Sequence, residues 1–295
     1  MSATTPMQLL QGWLERQLDA PARAWLRERL EQLAQARGEL ALDIAFGLAP
    51  RKLGNADLNL DDADLHAAGR VRPGWQPRGW SVAQAARVLM LLHSGGAPER
   101  FAARFERLCL TADVAELIAL YRGLPLYPEP GRYRARAGEG VRSNMRPVFE
   151  AVAHHNPYPC EQFDTGAWNQ MVLKALFIGS SLSPIVDLDR RANAALAPML
   201  CDYAHERWAA SRKVSPQLWR CVGPFADDAA LIDLARVLAL GGEDERAAAV
   251  LALSACPIGA AGKLLDAVPD LAAAVRRGAL RWDTLPVASE PGAKG

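Results

Sequence analysis

The residues best suited to chemistry lie between Arg142 and Arg207. On a helix after Asp189, the positions Asp202, His205 and Glu206 fall on one face at i, i+3 and i+4. A carboxylate and an imidazole at that spacing are neighbours and can reach one metal ion. The run HERWA departs from the HExxH zinc pattern, because Ala209 stands where the second histidine would be. A solvated, salt-bridged face explains the same spacing without a ligand. Glu150 and His154 also stand at i, i+4 with Arg146 one turn earlier, an arrangement that ion pairing alone accounts for. His155 and Asn156 follow at the helix end, where an imidazole can bond the last free carbonyls. His154, His155 and His205 would form a three-histidine site if the fold brought them together. Arg134, Arg136 and Arg142 flank Gly138-Glu139-Gly140; GEGVRS lacks the third glycine of GxGxxG, and no GxxxxGK[ST] occurs. Arginines there can still clamp a phosphate or carboxylate in bidentate fashion.

These side chains need helices to hold them. Asp164 is placed to cap a helix from Thr165, with Phe163 and Trp168 as a hydrophobic staple. That helix is apolar nearly all round, broken by Asn169, Gln170 and Lys174, so it belongs in a core and Asn169 needs buried partners. Asp189 reads as a further N-cap, with Asp187 able to hold Arg190 or Arg191. Pro198 must kink the next helix or mark its true start. The expected wall of a ligand site is Arg142, Glu150, His154, His155, Asn156, Trp168, Asn169, Asp189, Arg190, Asp202, His205, Glu206 and Arg207. In it Arg142 and Arg207 bind anions, Asn156 and Asn169 orient hydrogen bonds, and Trp168 supplies an apolar floor. No metal ligand set and no cofactor is assigned. The metal alternative joins His205 and Asp202 to His154 or His155, with Glu206 or Glu150 as general base.

The chain around this stretch reads as helix throughout. Its 295 residues are rich in alanine, leucine and arginine, and period-2 runs of Val, Ile and Thr are missing. Apolar spacing marks thirteen short helices, near 7–18, 22–36, 39–47, 82–93, 99–109, 112–122, 144–155, 165–178, 190–212, 216–222, 227–240, 244–256 and 271–277. Punctuated by Pro and Gly, they suit an irregular HEAT-like array of antiparallel hairpins. Ala86–Leu91 (ARVLML) and Ala235–Leu240 (ARVLAL) are each followed by Gly-Gly and Glu-Arg, so both predict helix, turn, helix. Residues 69–80, 123–140 and the tail after Leu285 predict loops. Trp75 and Trp80 beside Arg70, Arg72 and Arg78 mix cations with aromatics as single-strand nucleic-acid grooves do. We expect these tryptophans on the core or facing a protein partner instead.

Composition sets the outer bounds. There are 34 basic and 33 acidic residues, for a formal charge of +1, which gives no global field for nucleic acid. The longest uncharged run, 247–262, is too short and too rich in Pro and Gly to span a bilayer. MSATTPMQLL has neither the basic nor the apolar region of an export signal. Five widely spaced cysteines are read as reduced thiols. The expectation is a cytoplasmic protein with one domain over 1–285 and a disordered tail over 286–295.

The texture changes between 139 and 225, where the Ala/Leu filler thins. FDTGAWNQMVLKALFIGSSL (163–182), with VFEAVAHHNPYP before it and LDRRANAALAPMLCDYAHERWAASRKVSPQLWRCVGPF after it, resembles the EboA family. PRKLGNADL (50–58) is similar to that family's N-terminal signature. The resemblance implies bacterial gene clusters that deliver or process a secondary-metabolite precursor, with partners encoded beside the protein. It implies no particular reaction. Together with the residues above it leads us to expect a binding or adaptor protein holding a small polar or anionic metabolite, or a partner enzyme. A metal-assisted hydrolase or isomerase acting on a phosphate- or sugar-phosphate-like substrate and a purely structural scaffold are the alternatives.

Overall fold

The computed structural model describes residues 4–35 and 40–285. The tail 286–295, and Ala36 and Glu39 at the expected ends of two helices, lie outside the described residues. Among the described residues every regular element is helical, apart from an isolated antiparallel bridge between Asp57 and Ser81. The chain forms two compact units, Met1–Phe163 and Asp164–Gly295.

The first unit holds α1 (Pro6–Gln17), α2 (Ala20–Gln35), α3 (Leu40–Leu53), α4 (Asp62–Val71), α5 (Val82–His93), α6 (Pro98–Thr111), α7 (Val114–Arg122), α8 (Arg134–Arg142), α9 (Arg146–Ala153) and α10 (Tyr158–Gln162). Its centre is α5, which packs against α1, α2, α3 and α7. From Val82 to Leu91 every α5 residue but Gln84 is buried. Ser81 and Gln84 start it with a reciprocal capping box. Arg87, 3% exposed, survives in this core because its Nε donates to the Phe46 carbonyl and its Nη2 to Glu116. Two corrections arise here. α4 falls where no helix was expected, because only Leu65 and Ala68 give it an apolar face, while the Asp61–Asp64 capping box supplies its start. α8 takes the last part of the expected 123–140 loop, from Arg134 on: Ala137, Gly140 and Val141 form a buried side despite two glycines.

Of the expected 69–80 loop, Gly69–Val71 instead end α4, while residues 72–80 do form a loop, held by its tryptophans. Trp75 and Trp80 are buried, and Trp75 stands between Trp13 and Trp80 with ring centroids 5.7 and 6.0 Å away. Asp64 ties α4 to α1, accepting from the Trp13 indole at 2.9 Å and from Arg16 at 2.5 and 3.1 Å. Burial pushes the Asp64 carboxyl up, but the bonds from Arg16, the Asp61 backbone and Trp13 outweigh it and hold it below its usual value. A carboxyl lowered by folding adds stability above its unfolded pKa, and that stability is lost as pH falls through the folded one. The stability gap between wild type and Asp64→Asn should therefore narrow between about pH 5 and pH 2. Urea unfolding across that range checks this; a constant gap would mean that the carboxylate charge contributes nothing.

The second unit holds α11 (Thr165–Phe177), α12 (Leu188–Arg191), α13 (Leu196–Ala209), α14 (Trp219–Val222), α15 (Asp228–Leu240), α16 (Glu243–Ser254), α17 (Ala260–Asp266) and α18 (Pro269–Arg276). Here α16 is central, buried from Ala247 to Leu253 and packed on α14, α15, α17 and α18. The expected helix 190–212 is in fact two. α13 begins only at Leu196, where the Ala195 and Leu196 N–H groups donate to Asn193 Oδ1. Pro198 marks that start: it sits in the first turn, where a missing N–H costs no intrahelical bond. α17 was not expected, its short AAGKLLD run lying between glycine and proline punctuation.

The two ARVL copies do fold as helix, turn, helix, in α5–α6 and α15–α16, yet the turns differ. Gly95 and Gly96 have φ of 48° and 99°, which glycine adopts freely, while Gly241 and Gly242 have negative φ. Arg87 is buried, whereas its counterpart Arg236 lies exposed over the Trp208 ring at 4.3 Å.

Candidate functional site

In the first unit, α7, α8 and the start of α9 line an open cleft of about 380 Å³. Leu117, Met145 and Val148 give it apolar walls, and Arg136, Glu139 and Arg142 stand on α8 around it. Arg136 is committed to Glu106 and to Glu139. Arg142, exposed in the last turn of α8, has no ion pair or side-chain hydrogen bond among the described residues. Tyr121, on α7, lines the same cleft. Burial raises its phenol pKa, with Cys109 and Glu139 adding to the rise and Arg142 opposing it, so the hydroxyl remains a proton donor at neutral pH. Burial likewise pushes the Cys109 thiol up, which removes it as a thiolate nucleophile.

Gly140 sets the spacing of this cleft. A Cβ there would lie 2.7 Å from Val152 Cγ2 and 3.0 Å from the Tyr121 ring, so only glycine allows α8 this close to α7 and α9. Gly138, two residues earlier, would meet only the Arg142 guanidinium, at 3.4 Å. The same change should thus have opposite signs at the two positions. Gly140→Ala should cost about 1–3 kcal/mol through overpacking, and Gly138→Ala should gain up to about 1 kcal/mol of helix propensity. Chemical denaturation of both variants measures this; equal effects would show that the approach of α8 is not tight.

Arg142 alone of the expected wall lines this cleft. The other first-unit members sit at the far end of α9 or beyond. Glu150 accepts from Arg146 at 2.7 Å, the pairing their spacing predicted. His154 and His155 are half-buried neighbours with ring centroids 6.5 Å apart. His155 has a left-handed φ of 53°, and its carbonyl accepts from the Gln76 N–H. Burial first, then the charges of Arg78 and Arg122, lowers its imidazole pKa. Asn156, 3% exposed, has its amide taken up by the backbone: Nδ2 donates to the Tyr121 and Ala151 carbonyls, and Oδ1 accepts from Tyr158 N–H. In this structure its hydrogen bonds position α7 and α9.

The remaining members belong to the second unit. Asp164 caps α11 as expected, accepting from Ala167 N–H at 2.8 Å. Trp168 is fully buried under the Arg191 guanidinium, 4.8 Å from its ring. Asn169 is buried and finds the partner it required in Asn193, the two amides bonding reciprocally at 2.8 and 3.2 Å. Asp189 is not a cap: α12 already begins at Leu188 after a left-handed Asp187, and Asp189 accepts two bonds from Arg220 at 2.6 and 2.7 Å. Arg190 pairs with Asp187 at 2.6 Å, as its position suggested. Arg207 donates to the Lys213 carbonyl. Asp202 and Glu206 are exposed, and His205 turns to Asp233, its Nε2 lying 2.8 Å from both carboxylate oxygens. The imidazole therefore pairs across to α15 instead of with Asp202 on its own helix. Among the described residues no three His, Cys, Asp or Glu side chains are grouped to hold a metal ion. Asp233, Arg220 and Asn193 are the partners that spacing missed, since each lies 24 or more residues from the group it serves.

A family model described as metabolite traffic protein EboA matches residues 6–223. This chain belongs to the EboA family. The match spans all of the first unit's helices and the second unit through α14, and so includes both Arg142 and His205. Outside this EboA match, no curated protein and no solved structure is significantly similar to the chain. Among the described residues no helix is long and apolar enough to cross a membrane.

Proposed function

We propose that this EboA-family chain is a binding protein of metabolite traffic that holds a small anionic metabolite in the cleft between α7, α8 and α9. The observation that carries the reading is Arg142, a guanidinium without an acidic partner among the described residues, at a 380 Å³ cleft with apolar walls. That volume falls in the range of small-molecule sites, which are mostly apolar with a few placed polar groups. Arg142 supplies the bidentate anion contact, Tyr121 a proton donor, and Leu117, Met145 and Val148 the surface for an apolar body. A cation in the last turn of α8 also suits the helix dipole, which explains its presence but not the cleft beside it.

The rest of the reading is supported by the family's description as a traffic protein. It has the chain in the cytoplasm, carrying a secondary-metabolite precursor to or from enzymes encoded in its gene cluster. The scaffold is an irregular HEAT-like stack, in which α2–α3, α6–α7, α8–α9 and α15–α16 each pack on their sequence neighbour. The remaining residues of the expected wall hold their elements in register through internal pairs, and Asp202 and Glu206 present charge to a protein partner.

The test is to purify the untagged chain from its own host and extract bound small molecules for negative-ion mass spectrometry, beside Arg142→Ala with an unchanged circular dichroism spectrum. Loss of one charge-assisted contact, about 1.5–3 kcal/mol, predicts roughly 10- to 100-fold weaker retention in the variant. An anionic molecule retained equally by both proteins would sink the proposal.

A further inference from the structure

A second cleft in the first unit, about 510 Å³, lies along α4 and the loop that follows it, lined by Asp62, His66, Arg70, Trp75, Gln76 and Arg78 among others. Three features set it apart from an ordinary surface groove. Neither Arg70 nor Arg78 has an ion pair or side-chain hydrogen bond among the described residues, although 17 other arginines do. Asp62 is the one acid of the lining, so two cations outnumber it. Trp75 is 1% exposed, and its Nε1–H is a buried donor with no acceptor in the chain. Trp13, tilted against it with ring centroids 5.7 Å apart, does have its indole satisfied, by Asp64. A buried donor left unpaired costs about 1–3 kcal/mol, a cost that an acceptor gaining access to it through the cleft that Trp75 lines would remove.

We propose that this cleft is an oxyanion site, in which Arg70 and Arg78 hold a carboxylate or phosphate group of a small molecule and the Trp75 indole N–H is the donor at its floor. Guanidinium groups fit both kinds of oxyanion in bidentate geometry. The surroundings reinforce the positive field: His155, whose carbonyl holds the loop through Gln76 N–H, feels both Arg78 and Arg122 as repelling charges. Arg122 is itself fixed to the loop by the Gly79 carbonyl and to α5 by Gln84. An exposed Arg70 in the last turn of α4 complements that helix's dipole, but this leaves Arg78 and the orphaned indole without explanation.

The site is independent of the Arg142 cleft, and its test is arranged to show that. In full-length ¹⁵N-labelled protein, the Trp75 indole N–H resonance is assigned by its loss in Trp75→Phe and followed during titration with inorganic phosphate, with acetate, and with chloride at matched ionic strength. A saturable shift with phosphate or acetate, absent with chloride, is expected; whichever oxyanion saturates at lower concentration identifies the class. Arg78→Ala and Arg70→Ala should each weaken the response at least tenfold, and Arg142→Ala should leave it unchanged. A Trp75 resonance unmoved by either oxyanion, or moved equally in Arg78→Ala, would overturn the proposal whatever the fate of the first cleft.

Discussion

Arg87→Ala should unfold the first unit more readily than any other single truncation considered, by about 4 kcal/mol. Three losses add. The side chain is a core residue of α5, so its removal leaves a cavity at the contact between α5, α3 and α7. The Phe46 carbonyl loses its donor at 3.1 Å. Glu116, with only 18% of its side chain exposed, keeps its charge without the guanidinium 3.2 Å away. Burial lowers the Arg87 pKa, and the charges of Glu116 and then Asp113 oppose that shift. Glu116→Gln separates the contributions. Its amide oxygen can still accept from Arg87, so that variant should lose only about 1 kcal/mol. Urea unfolding followed by tryptophan fluorescence reports both, since Trp13, Trp75 and Trp80 all lie in the first unit. Equal losses in the two variants would show that Arg87 acts through its charge alone and not through packing.

Gly223→Ala should have a comparable effect on the second unit, about 3 kcal/mol or roughly 10 °C in Tm. A Cβ at Gly223 would lie 2.6 Å from the Ala252 carbonyl oxygen and 2.7 Å from its Cα. These are backbone atoms of α16, the most buried helix of that unit, so no rotamer change relieves the clash. At Gly140, by contrast, the atoms met are side-chain ones, Val152 Cγ2 and the Tyr121 ring. The pair of variants also probes how the chain is divided. If the two units unfold separately, Arg87→Ala lowers one calorimetric transition and Gly223→Ala the other. If the chain unfolds as the single domain expected from its length, both variants lower the same transition.

Helix type and most helix positions were legible because they depend on local composition and apolar spacing. The exceptions follow the same logic in reverse. α8 was hidden because two glycines and three arginines in RARAGEGVR look like a loop, whereas Gly140 is there for close packing against Tyr121 and Val152. α4 was hidden because a ten-residue helix with a two-residue apolar face gives little periodicity. Among the site residues, contacts within one turn were readable: Arg146 with Glu150, Asp187 with Arg190, Asp164 capping α11. Partners brought in from elsewhere in the fold were not. His205 with Asp233 and Asp189 with Arg220 depend on how helices pack, whereas spacing alone makes Asp189 a cap and His205 a neighbour of Asp202. Trp75 and Arg78 stand out in the sequence as an aromatic and cationic mixture, but the cleft they line exists only in the folded chain.

The most direct test of the central claim uses Met145, which lines the Arg142 cleft. With [methyl-¹³C]methionine protein, the Met145 resonance is assigned through Met145→Leu and followed as benzoate is added, a probe that joins one carboxylate to an apolar ring. The proposed site predicts a saturable Met145 shift in the wild type that is lost in Arg142→Ala, while the methyl resonances of the folded chain otherwise stay in place. A Met145 resonance that does not move, or that moves identically in Arg142→Ala, would contradict the assignment of this cleft as the metabolite site.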